Sequence, residues 1–175
     1  MSQPASSSAA LPIADVLLRI LIVLNWVMAA LLLVLLFVVP NRQWIMSAFH
    51  LSPSPDAERL ILGLRAVVVL GLGTIPLNYA ILGRLRAMVE TVRAGDPFVV
   101  ANASRLQAIA WALLALQLLS LVIGAIAKNV SSPAYPLDID AGFSINGWLA
   151  VLLTFLLARV FAEGTLMREE VEGTV

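Results

Sequence analysis

The chain has 175 residues, of which 61% are hydrophobic and only 13% charged, with eleven basic and eleven acidic side chains balancing to a net charge of zero. A soluble domain carries roughly 25% charged residues, so a chain this apolar calls for lipid as its solvent. Balanced charge leaves no electrostatic case for direct nucleic-acid binding. The absence of cysteine excludes disulfides, thiolate metal sites and cysteine nucleophiles.

Residues 1–12 (MSQPASSSAALP) are small and polar and read as a disordered tail ahead of a single domain, 13–175. The apolar run 16–39 follows. It is too long for a signal peptide and has no basic residues ahead of it, so it reads as a retained anchor. An outer segment, 41–59, holds Trp44, Ile45, Met46 and Phe49, which suit the headgroup layer, and then the breaker SPSP. There Ser54 reads as an N-cap, with Pro55 at the first helical position.

The second apolar run, 60–82, contains Gly71, Gly73, Thr74 and Pro76 in its middle. Proline removes one backbone hydrogen bond and crowds the preceding turn, so the spacing predicts a kink. Apolar residues then recur at Leu82, Leu85, Val89 and Val92, with Arg84, Arg86, Glu90 and Arg93 elsewhere around the turn. That periodicity predicts an amphipathic extension of the helix, with Arg86 and Glu90 four apart and able to pair.

A helical corner over 83–105 comes next. Gly95 suits the left-handed position that ends a helix, Asp96 is placed to cap the next one, and Pro97 to occupy its first position. Phe98 is left to pack toward the bundle, and Asn102 and Arg105 share one helical face. The third run, 106–127, leads to the outer connection "YPLDIDAGF", and the fourth, 143–162, to an acidic segment, 163–175, with Glu163, Glu169, Glu170 and Glu172. Each run approaches the roughly 20 residues that cross a bilayer as a helix, and lipid tolerates no unpaired backbone there.

The expected fold is therefore all-α: an integral membrane bundle of four transmembrane helices. Orientation follows from the arginines, which concentrate in cytoplasmic loops. Arg84, Arg86, Arg93 and Arg105 crowd the middle connection, Arg159 and Arg168 flank the last helix and Arg19 the first, against Arg42, Arg59 and Lys128 in the other two connections. Both termini and the corner are expected in the cytoplasm.

Chemistry-bearing patterns are sparse. His50, the lone histidine, has no carboxylate and serine near it in the pattern of a triad. Asp138 and Asp140 fall short of the six to eight oxygens calcium takes. No phosphate loop, dinucleotide fingerprint or zinc-protease motif occurs. No catalytic, metal or cofactor residue is assigned. Arg65 is close enough to the outer surface to snorkel, and Asn25, Asn78, Gln117 and Thr154 are candidates for bonds between helices.

Gly95-Asp96-Pro97-Phe98, followed by Asn102 and Arg105-Leu106 and then an apolar span, resembles the central signature of the bacterial "domain of unknown function 2975" family. The chain's end, with Glu163-Gly164, Leu166, Glu169-Glu170 and Thr174-Val175, is similar to that family's acidic C-terminal motif, and the likeness extends over the chain beyond the tail. The resemblance implies a small multi-pass protein of the bacterial cytoplasmic (inner) membrane. It further implies a partner, since members are frequently encoded beside a small helix-turn-helix regulator.

The functional expectation is a non-catalytic regulatory or interaction protein that binds a cytoplasmic protein, or a second copy of itself, at the membrane. Its candidate surface is Arg84, Arg86, Arg93, Gly95, Asp96, Pro97, Phe98, Asn102 and Arg105 with Glu163, Glu169, Glu170 and Glu172. Two readings of these charges stand side by side: the acidic tail folds back onto the arginines and a partner competes for one of them, or both groups only anchor helix ends. A small transporter or channel-like protein is the alternative function. An intramembrane carboxylate or a pair of broken helices would favour it.

Overall fold

The computed structural model describes residues 7–38, 43, 46–47, 55–133, 136 and 139–172, with side chains omitted at 7–10 and 169–172. Expectations for Trp44, Ile45, Phe49, His50, Ser54, Asp138 and the final three residues lie outside the described residues, as do those for the side chains of Glu169, Glu170 and Glu172.

Four long helices carry the described residues: α1 (Ser7–Val38), α2 (Pro55–Arg93), α3 (Val100–Val130) and α4 (Ile145–Glu172). All four are long and apolar enough to cross a membrane. Each is longer than the apolar run that predicts it. α1 begins at Ser7, inside the stretch read as a tail, because Ala9, Ala10 and Leu11 are strong helix formers that extend the apolar segment backwards. α4 runs on to Glu172, so the acidic segment is helical down to that residue.

α2 starts at Pro55, at the position where a missing N–H costs nothing. It continues as helix through Pro76, which offers no N–H to the carbonyl four residues back. Two residues earlier the Thr74 hydroxyl donates to the carbonyl of Gly71 at 2.7 Å.

The chain divides into two units. The first takes in Met1–Asn25, Asn78–Leu114 and Asn146–Val175. Its interior is built from Leu18 of α1, Leu106, Ile109, Ala110 and Ala112 of α3, and Val151 and Ala158 of α4, all buried. Polar groups are buried in this unit too: Asp15, Asn25, Asn102 and Thr165.

The second unit takes in Trp26–Leu77 and Ala115–Ile145. Ala57, Leu60, Ile61 and Val68 of α2 form its core, with Leu36, Met46 and Leu64 packed against it. Met46 thus covers that core. In the same unit the segment at Ala141 and Gly142 lies against α3. The Gly142 N–H donates to Ser120 Oγ at 3.1 Å, and the same hydroxyl donates to the Gly142 carbonyl at 3.3 Å. One turn on, Gly124 makes this approach possible, since a Cβ there would stand 2.6 Å from the carbonyl oxygen of Ala141.

The chain itself covers little of its apolar helix surface. Across the most apolar window of α1 only 11% is buried, and even in α2 only 28%. Thr154, expected to bond to a neighbouring helix, donates to Ala150 of its own helix at 2.7 Å, the usual way a hydroxyl on a helix satisfies itself in apolar surroundings.

Candidate functional site: the α2–α3 corner and the end of α4

The corner begins with a glycine-terminated helix. Gly95 has φ +86°, the left-handed conformation that a residue with a Cβ adopts only under strain. Its N–H donates to the Val92 carbonyl at 3.1 Å, and the Asp96 N–H reaches back to Thr91 at 3.1 Å. These two crossed bonds are the Schellman arrangement that satisfies carbonyls at a helix C-terminus.

α3 starts later than expected, at Val100, with the Asn102 N–H donating to the carbonyl of Val99 at 2.8 Å. Asp96 therefore lies outside the first turn of α3. Its carboxylate pairs instead with the guanidinium of Arg168 in α4, 72 residues further along the chain. A cation from another helix outcompetes the local capping role.

Asn102 holds the corner closed. Its side chain has no exposed surface, and all its polar atoms are used. Nδ2 donates to Thr91 Oγ1 at 2.7 Å and to the Pro97 carbonyl at 2.9 Å, while Oδ1 accepts from the Arg105 guanidinium at 2.8 Å. The Thr91 hydroxyl passes its own proton to the Met88 carbonyl at 2.7 Å. Arg105 also reaches the Ala87 carbonyl at 3.3 Å. One buried amide thus connects the end of α2, the linker and the start of α3. Satisfied buried polar groups of this kind specify a geometry, because leaving any of them unpaired is costly.

Phe98 extends the corner onto α4. Its ring centroid lies 5.3 Å from that of Phe161, tilted by 32°. It also rests on Gly164, where a Cβ would meet the Phe98 ring at 3.4 Å. Phe98 nonetheless keeps 46% of its surface exposed.

The expected charge arrangement is partly redrawn. Arg86 donates to Asp15 of α1 at 3.1 Å, not to Glu90, and Asp15 also holds Arg19 at 2.9 Å. Arg84 donates to the Ala80 carbonyl of its own helix at 2.9 Å. Glu163 pairs with Arg159 four residues back at 2.8 Å. The described contact between corner and chain end runs from an acidic corner residue to a basic α4 residue, the reverse polarity of the tail-on-arginine reading. Arg93 is exposed in the last turn of α2.

Sequence reading missed three participants: Asp15, Thr91 and Arg168. Asp15 had a local signal, an Asp-Arg pair at i,i+4 beside an apolar run. Thr91 and Arg168 had none, since their partners come from other elements.

A family model described as Protein of unknown function (DUF2975) matches residues 39–175. The chain belongs to that family. The DUF2975 match takes in α2, α3 and α4 entire, with both motif segments and every residue of the corner, while α1 and its Asp15 precede it. No curated protein and no solved structure matches the chain. Within this DUF2975 chain, the two sequence signatures are in contact: Phe98 lies on Gly164, and Asp96 pairs with Arg168.

Proposed function

We propose that this DUF2975 chain is a non-catalytic, multi-pass protein of the bacterial cytoplasmic membrane, and that the corner with the end of α4 is a docking surface for a cytoplasmic protein. The contact between the two signature segments carries the reading. A corner meant only to reverse the chain needs Gly95 and Asn102, which close it locally. It does not need a half-exposed phenylalanine seated on a glycine of another helix, or an ion pair at that helix's end.

The surface so held carries apolar and charged groups together. Phe98, Val100, Leu166 and Met167 are all exposed, and the charged Arg93, Asp96 and Arg168 flank them along the chain. An exposed aromatic surrounded by charge is the composition of a protein-binding hot spot. Orientation rests on the arginine bias, which puts the corner and both termini in the cytoplasm. A small helix-turn-helix regulator is the partner that the family resemblance brings forward.

Affinity capture of the full chain from solubilised membranes tests this. The expected result is co-capture of a helix-turn-helix DNA-binding protein, lost in Phe98→Asp and in Arg93→Glu while the chain still reaches the membrane. Recruitment unchanged in both variants, or capture of further copies of the chain alone, contradicts it.

A further inference from the structure

A groove of about 380 Å³ opens between α3 and α4 in the first unit. Its walls are two helix faces of identical spacing, with Ser104 and Gln107 on α3 opposite Phe155, Ala158, Arg159 and Ala162 on α4. Small side chains leave the space, and Ser104, Gln107 and Arg159 bring polar atoms to it. The Ser104 hydroxyl gives its proton to the Ala101 carbonyl at 2.9 Å and keeps its lone pairs. Gln107 is exposed, and its amide has no hydrogen-bond partner among the described residues. Arg159 is bound to Glu163 through Nε alone, which leaves its terminal nitrogens without an acceptor among the described residues.

These groups lie at a particular depth. Gln107 is two residues past Arg105, at the start of the apolar run of α3. One turn further in on the same face, Trp111 meets Phe155 edge-on with centroids 5.3 Å apart. The groove therefore changes from cationic and amide-lined to aromatic over one helical turn, as the bilayer changes from headgroup to hydrocarbon. A glutamine amide facing hydrocarbon without a partner is costly, since nothing there replaces the water it gives up. An acceptor supplied by the lipid removes that cost.

We propose that this groove seats the phosphodiester of a membrane glycerophospholipid, with Arg159 and Gln107 donating to its oxygens and an acyl chain along Phe155 and Trp111. Glu163 keeps the Nε of Arg159 and sets its direction; the singly charged phosphodiester takes the terminal N–H groups, a geometry guanidinium suits. The proposal rests on the membrane-spanning reading above, and not on the docking of a cytoplasmic partner.

Trp111 is a built-in reporter once Trp26, Trp44 and Trp148 are changed to Phe. The full chain is reconstituted in vesicles of unbrominated diglycosyl diacylglycerol containing a minor share of either brominated phosphatidylglycerol or brominated diglycosyl diacylglycerol. The phospholipid should occupy the groove with an excess of about tenfold over the phosphate-free lipid, the effect of one charge-assisted hydrogen bond, and quench Trp111 accordingly. Arg159→Gln combined with Gln107→Leu should abolish the excess. Equal quenching by the two lipids, or an excess that survives both substitutions, overturns the site. No quenching by either, with the chain left outside the vesicles, overturns the membrane-spanning reading itself. Native mass spectrometry of the wild-type chain gives an independent readout: one retained phospholipid, lost in Arg159→Gln, is expected, and a retained lipid indifferent to that change contradicts the proposal.

Discussion

The residue that fixes the candidate site is Asn102. It has no exposed surface and serves Thr91, Pro97 and Arg105 at once. Asn102→Ala strands the Pro97 carbonyl and one N–H of Arg105, and should lower stability by between about 1 and 3 kcal/mol, the cost of leaving buried polar groups unpaired. Chemical unfolding of the detergent-solubilised chain measures it; a loss within experimental error would show that water replaces the amide. The Asp96–Arg168 pair is different in kind. Both side chains are more than two-fifths exposed, so by itself it contributes about 0–1 kcal/mol, and its removal should weaken partner recruitment without unfolding the chain. Sequence spacing puts Asn102 and Arg105 on one helical face, where the structure joins them by a hydrogen bond, because a contact across three helical residues is local. It misassigns Asp96, because its partner is on a different helix.

At the scale of elements, helix ends governed by local chemistry are legible in advance. Pro55 opens α2, and Gly95 closes its corner with φ +86°. The start of α3 is not legible in the same way: Asp96 and Pro97 have the right composition for a cap, yet the helix waits until Val100 once Asp96 turns to Arg168. The close approach of the 141–142 segment to α3 is likewise invisible in the sequence, where Gly124 reads only as one small residue in an apolar run. Gly124→Val should cost about 1–3 kcal/mol, because its Cβ would be driven into the Ala141 backbone oxygen at 2.6 Å and α3 must release the segment. Gly71→Ala is the matched control. A Cβ there meets Leu32 at an ordinary 3.5 Å, so the change should be neutral or stabilise by up to about 1 kcal/mol through helix propensity. Equal losses in the two variants would show that packing at Gly124 is looser than described.

For the whole molecule, four apolar runs in the sequence become four helices long and apolar enough to span a membrane, with most of their surface left for another medium to cover. That much is legible because hydrocarbon thickness and backbone hydrogen bonding together allow few solutions. The arginine bias predicts the sidedness, which decides whether the corner can meet a cytoplasmic partner. The absence of cysteine allows one direct measurement: single substitutions Ala94→Cys, Ser132→Cys and Gly173→Cys, labelled in intact cells with a membrane-impermeant maleimide. Positions 94 and 173 should stay unlabelled until the membrane is opened, while 132 reacts at once. Labelling of 94 or 173 from outside, or of the two on opposite sides, would contradict the account.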